Sequence, residues 1–162
     1  MNAKSIKSTL GIMALSAIAL AATACGPSAA AAVRPTWITP QVSGTKVSIS
    51  SADVQKYGMV HFRTSVNGAT MTFMAYNFNG QTYARADVCP PCRSTSFSLV
   101  GNNLVCDTCG TVFDAKTSNG VSGACVSYPK AEVAFTVDNG NLVMNASDLS
   151  TAYQNTLQPG RP

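Results

Sequence analysis

Four cysteines in two short loops constrain this chain more than any other feature. Cys89-Pro90-Pro91-Cys92 and Cys106-Asp107-Thr108-Cys109 are both C-x-x-C motifs. Such a loop can aim its two sulfurs at one point, and Gly110, directly after the second motif, relieves crowding of that turn. Two loops together supply four thiolates, the tetrahedral shell preferred by zinc and by iron–sulfur centres. Thirteen residues separate Cys92 from Cys106, slightly fewer than in a zinc ribbon. The segment between them reads as a hairpin turning at Gly101-Asn102. Antiparallel pairing of its arms would set the two loops side by side.

The same residues allow two other readings. Exported proteins staple small folds with disulfides, and four cysteines could make two bridges with Cys125 left over. A C-x-x-C pair can also be a thiol–disulfide exchange centre. Against exchange, Pro91 and the hairpin setting do not resemble a helix N-terminus, the usual device for lowering a redox thiol's pKa. The residues alone thus leave a metal or cluster site, a disulfide staple and a thiol–disulfide oxidoreductase open.

Strand signals fill most of the chain after Pro35. Segments 37–42, 46–50, 59–66, 69–76, 81–87, 96–100, 103–106, 131–138 and 141–145 alternate in polarity or are rich in β-branched and aromatic residues. Asn67-Gly68, Asn79-Gly80 and Asn139-Gly140 lie between them, and Asn-Gly favours two-residue hairpins because both residues tolerate positive φ. The expectation is an all-β fold: one small antiparallel domain over residues 36–162. One helical turn is expected near Ser51, and a short helix from a Ser147-Asp148 cap to about Gln154.

The N-terminus predicts export. Lys4 and Lys7 precede an almost wholly small and apolar run from Leu10 to Ala24, the layout of a secretory signal and too short for a comfortable membrane span. Ala22-Thr23-Ala24-Cys25-Gly26 resembles the lipobox of bacterial lipoproteins, with Ala22 where Leu is usual. That resemblance implies a signal peptide over residues 1–24 and a lipid on the Cys25 thiol. The protein would then sit outside the cytoplasm, anchored to the cell membrane through membrane lipid. The Ala-rich, Pro-bounded stretch 26–35 reads as a flexible tether. The formal charge of +4 falls to about +2 once Lys4 and Lys7 leave with the signal. The remaining charges are scattered singly, which argues against nucleic acid as a partner.

With these residues in view, the run Asp87-Val88-Cys89-Pro90-Pro91-Cys92, then Cys106-Asp107-Thr108-Cys109, then Gly123-Ala124-Cys125 with Pro129 behind it, resembles the FtrD-like membrane iron–sulfur domain. That domain has D-x-C-x-x-C, a hairpin, C-x-x-C and G-G-C-N-P, and occurs beside or fused to high-affinity iron permeases. The likeness runs from about Phe73 to Leu149. It departs at Ala124 and at Val126-Ser127-Tyr128. It implies that Cys89, Cys92, Cys106 and Cys109 bind metal, that Cys125 is an accessory thiol beside them, and that the role is electron transfer or iron handling with a permease or redox partner. Cys106 to Asp114, with Thr117 and Gly120, is also similar to the second cluster loop of Rieske proteins, with Cys109 in place of a histidine, and these likenesses imply a small antiparallel Rieske-like or zinc-ribbon-like β domain. The chain holds a single histidine, His61, so any cluster must be all-thiolate, and thiolate in place of imidazole lowers the potential. The signal lacks twin arginines, so the chain should be exported unfolded and would take up its metal outside. That favours zinc or a single iron unless the cluster has its own assembly route.

Other candidates are weaker. Asp87, Asp107 and Asp114 flank the sulfurs and read mainly as solvated turn and strand-end residues. His61 reads as a packed or surface strand residue, and Met59, Met71, Met74 and Met144 as core. With one histidine and seven carboxylates, and no Ser–His–Asp set, phosphate loop or paired acids, hydrolytic chemistry is not expected. The chain reads as a metal-binding protein rather than an enzyme by itself.

Overall fold

The computed structural model describes residues 31–161; the apolar N-terminal run and Cys25 lie outside them. In chain order the elements are β1 (Ala32–Val33), β2 (Thr36–Trp37), β3 (Gln41–Ser43), β4 (Lys46–Ser50), α1 (Ser51–Tyr57), β5 (Met59–Val66), β6 (Ala69–Phe78) and β7 (Gln81–Ala86). There follow β8 (Phe97–Val100), β9 (Asn103–Cys106), β10 (Val112–Asp114), β11 (Gly120–Ser122), β12 (Phe135–Asp138), β13 (Asn141–Asn145) and α2 (Ala146–Thr156).

The central sheet has the order β2-β5-β6-β7. Its long hairpins turn at Asn67-Gly68 and Asn79-Gly80, where φ lies between 50° and 80° at all four residues, as two-residue turns that match the strand twist require. Successive side chains point to opposite faces, and both faces are covered. Val60, Phe62, Phe73, Ala75, Ala84 and Ala86 face one core with Val54 of α1, Leu149 and Ala152 of α2, and Leu142 and Met144 of β13. Met59, Met74, Tyr76 and Tyr83 face a second core with Phe97, Leu99, Leu104, Phe113 and the cysteines. Burial on both sides explains why β6 reads as a nearly continuous apolar run rather than a clean alternation.

Two further sheets flank this one. The order β12-β13-β4-β3 packs over the first core, and β1-β8-β9-β10-β11 carries the cysteine loops over the second. The expected antiparallel pairing holds in every pair except β2–β5, which is parallel. Several boundaries differ from the sequence reading. Pro40 lies between β2 and β3 where one strand was expected over 37–42; proline offers no N–H for a ladder. Of the expected strand 131–138 only β12 is formed, because Glu132 meets β7 through a single bridge to Arg85. Ala32 and Val33, expected in the tether, pair with Val100 and Leu99 on the edge of β8, where Val33 packs on the second core.

Both helices are present. α1 is capped by the Ser50 hydroxyl, which accepts from Asp53 N at 3.2 Å. α2 starts earlier than a Ser147-Asp148 cap would place it, with Asn145 as N-cap. Ala146 N donates to Thr45 O at 2.8 Å, so the end of β13 against the β3–β4 turn sets the helix start.

Candidate metal centre

Each cysteine loop is shaped by its own backbone. β7 runs into Asp87-Val88-Cys89, and Cys89 N donates to Ser94 O at 2.8 Å, closing the Pro90-Pro91-Cys92-Arg93 loop with Arg93 at φ 59°. Cys106 ends β9. Its N–H donates to Thr111 O at 2.9 Å and its carbonyl accepts from Gly110 N at 2.9 Å, with Gly110 at φ 69°. The β8–β9 hairpin brings the loops together as expected. Phe97 lies opposite Cys106 in register, and Asp107 N donates to Ser96 O at 3.0 Å. The Asp107 carboxylate accepts from the hydroxyls of Ser96 (2.5 Å) and Ser98 (2.7 Å). Thr108 Oγ1 donates to Ser94 Oγ at 3.0 Å.

The sulfurs of Cys89, Cys92, Cys106 and Cys109 all lie within 4.8 Å of one another. Cys89 and Cys106 are buried, while Cys92 and Cys109 are half-exposed. Cys92 Sγ and Cys106 Sγ are 3.7 Å apart, close to the edge of about 3.8 Å for a tetrahedron with metal–sulfur bonds of ~2.3 Å. All five described cysteines are free, and neither C-x-x-C opens a helix. The donor set fits a thiophilic metal or an iron–sulfur centre: four soft ligands converge without a histidine or carboxylate among them.

Cys125 joins this group from a third segment. Its sulfur lies 3.7 Å from Cys109 Sγ, and its N–H donates to Thr111 Oγ1 at 3.1 Å. Gly123 permits the approach. A Cβ there would stand 2.7 Å from Thr111 Cα, and the residue has φ 109°, so a larger side chain would both clash and strain the backbone.

The flanking residues divide. Asp107 and Asp114 serve turns: Asp114 accepts from the N–H groups of Lys116 (3.0 Å) and Thr117 (2.7 Å), which holds its carboxyl below the usual range, the Thr117 backbone bond being the largest cause. Asp87 differs from the solvated expectation. It is fully buried, with Oδ2 2.9 Å from His61 Nδ1, also fully buried. Its position follows from β7, which ends one residue earlier beneath the cluster-bearing sheet. The four methionines are core. Sequence reasoning missed two buried cations of the second core, Arg85 (2 % exposed) and Lys130 (0 %). No motif marks either, since lysine and arginine are ordinarily surface residues.

Residues 54–155 match the family described as membrane iron–sulfur containing protein FtrD-like. The chain belongs to the FtrD-like family. The match begins upstream of Phe73 and takes in the second half of α1 and the whole of β5, the neighbour of β6 in the central sheet. The fold of this FtrD-like domain is similar to that of a chain in the complex of reduced oxygenase and oxidized ferredoxin in carbazole 1,9a-dioxygenase, with 21% identity, 64% of this chain and 95% of that chain covered, and a TM-score of 0.51. The ferredoxin of carbazole 1,9a-dioxygenase from Nocardioides aromaticivorans is 17% identical over 67% of this chain and 98% of its own, with a TM-score of 0.44. The likeness is one of fold, a mostly antiparallel β fold of the Rieske ferredoxin kind. No curated protein sequence matches the chain. The FtrD-like domain thus carries an iron–sulfur or metal centre, and its family is membrane-associated. Among the described residues no helix is long and apolar enough to cross a membrane.

The thiols of the metal-free FtrD-like site differ in acidity. Burial pushes the Cys89 thiol far up and Cys92 to about 11. At Cys109 the desolvation cost is outweighed by hydrogen bonds from the Thr111 side chain and backbone, which bring it down to about 6. Reactivity follows the thiolate, so metal-free protein at pH 7 should be alkylated by iodoacetamide at Cys109 first, at least about tenfold faster than at Cys92. Peptide mass spectrometry after brief labelling checks this; equal labelling of the two would contradict it.

Proposed function

We propose that this protein is a membrane-tethered electron carrier of iron handling, with Cys89, Cys92, Cys106 and Cys109 as ligands of an all-thiolate iron–sulfur centre. The observation that carries this reading is the four-sulfur group at one end of a Rieske-like sheet, with an inner buried pair and an outer half-exposed pair. When bound, the centre supplies one-electron redox chemistry at low potential, since thiolate ligation adds negative charge. The chain's own residues do the rest. The β7 and β9 loops hold the ligands at fixed spacing, Thr108 ties the second loop to the first through Ser94 while Asp107 ties it to Ser96 and Ser98, and the second core excludes water from the inner pair. The outer pair offers the short path to a redox partner, with an iron permease of the same membrane as the proposed downstream process.

A second reading, a structural zinc or single-iron site, draws on the compactness of the sulfurs, which suits one tetrahedral ion. Absorption spectroscopy with iron, zinc and sulfide analysis of the purified protein separates the two. Visible bands with iron and acid-labile sulfide are expected; a colourless protein with one zinc would overturn the electron-transfer reading.

Anchoring is proposed to run through Cys25 and the short tether ahead of β1. Cys25→Ser should move most of the protein from the membrane to the soluble fraction with an unchanged melting temperature, since lipid anchoring of this kind depends on the acyl chains. Fractionation with immunoblotting checks it; continued pelleting of a normally processed variant would contradict lipidation.

A further inference from the structure

We propose that Lys130 is the built-in counter-cation of the thiolate centre, holding its reduction potential and its metal affinity up. The inference rests on the reading of the four cysteines as ligands and goes beyond it to a residue that touches none of the motifs.

Lys130 is fully buried. Its Nζ donates to Tyr128 O at 2.5 Å and stands 4.5 Å from the centroid of the Phe113 ring and 5.3 Å from that of Phe97. Phe97 is the cross-strand partner of Cys106, so the ammonium rests on the aromatic wall of the sulfur site. A buried ammonium is costly unless a negative charge lies near. Among the described residues the ion pairs are His61–Asp87 and Arg85–Glu132; no carboxylate bridges to Lys130. Aromatic faces and one carbonyl contribute only partial negative charge. Burial lowers the lysine's pKa, and the negative groups that oppose this are Cys89, Cys106 and Cys125, then Asp87. The compensating charge is therefore that of the sulfurs once they are thiolates, with the Asp87 carboxylate behind them. Four thiolates around a divalent ion or a cluster stay formally anionic, and each added electron makes them more so. A fixed cation in a low-dielectric core stabilises the reduced form more than the oxidised one, and the thiolate form more than the thiol.

The experiment uses the purified mature protein, wild type and three variants: Lys130→Met, Lys130→Gln and Lys130→Arg. Redox titration of the iron-loaded proteins should find the neutral variants harder to reduce by about tenfold in the equilibrium constant, which is 59 mV for a one-electron couple, with Lys130→Arg near wild type. Cobalt(II) binding, followed by its thiolate charge-transfer bands against a competing chelator, should be weakened by about tenfold in the neutral variants. Unchanged potential and cobalt affinity in folded Lys130→Met would overturn the proposal, as would equal shifts in Lys130→Arg. Folding of Lys130→Arg when both neutral variants fail to fold would support it. If wild type binds no cobalt through its thiols, the ligand assignment itself falls, and this inference with it. Cobalt binding that depends on Lys130 in a protein holding no iron would leave the inference standing and remove only the electron-transfer reading.

Discussion

Cys106→Ser should lose the metal and melt at least about 10 °C lower than wild type, because removing one of four thiolates forfeits binding free energy that is also folding free energy. Structural four-thiolate sites contribute ~10–16 kcal/mol of apparent binding in small peptides, so even partial loss is large beside a domain's net stability. Cys106 is the sensitive position. It is buried, ends β9, and ties that strand to Thr111 through its N–H. Serine there leaves a hydroxyl in an apolar pocket beside Phe97 and Phe113 and removes one of the two inner sulfurs proposed as ligands. Metal analysis and thermal unfolding followed by circular dichroism measure both effects. Full metal content with an unchanged midpoint would contradict the assignment of Cys106 as a ligand.

Arg85→Ala should destabilise the protein by about 3–5 kcal/mol, because each acceptor left without its donor costs about 1–3 kcal/mol, a fall in melting temperature of roughly 10 °C or more. Arg85 Nε donates to Tyr76 Oη at 2.9 Å, Nη1 to Lys130 O at 2.9 Å and Nη2 to Lys116 O at 2.6 Å. Tyr76 Oη in turn donates to Ala115 O at 2.6 Å. This one guanidinium joins the central sheet to the segment after β10 and to the irregular segment between β11 and β12 that carries Lys130. Truncation leaves two buried acceptors and one half-buried acceptor without a donor. Glu132→Gln is the contrast: Glu132 lies 3.5 Å from Arg85 but is 57% exposed, so its loss should cost under about 1 kcal/mol. Chemical denaturation of both variants decides the point. Equal small effects would mean that the neutral acceptors do not hold the two halves together.

Much of the fold was legible because it is local. Strands β4, β5, β9 and β13 lie where alternation and Asn-Gly turns put them, since a two-residue turn and a period of two are properties of adjacent residues. The short strands β10 and β11 were not legible. Each has three residues, and they pair because Cys106, Thr111 and Asp114 hold the chain in place around them. The three-sheet layering was likewise hidden, because β6 is buried on both faces and its sequence does not record which neighbour covers which face.

The site divides in the same way. By itself the sequence determined the four-cysteine constellation, the hairpin between its halves and the kinship with an iron–sulfur family, because C-x-x-C spacing and turn chemistry act within a few residues. Only the tertiary structure decided that Cys125 lies 3.7 Å from Cys109, that Asp87 is buried against His61, and that Lys130 sits on the aromatic wall beside the sulfurs. Those contacts join residues far apart in the chain. They depend on a missing Cβ at Gly123, on where β7 ends, and on the desolvation of a cation, all of which arise only when separate segments pack into one core.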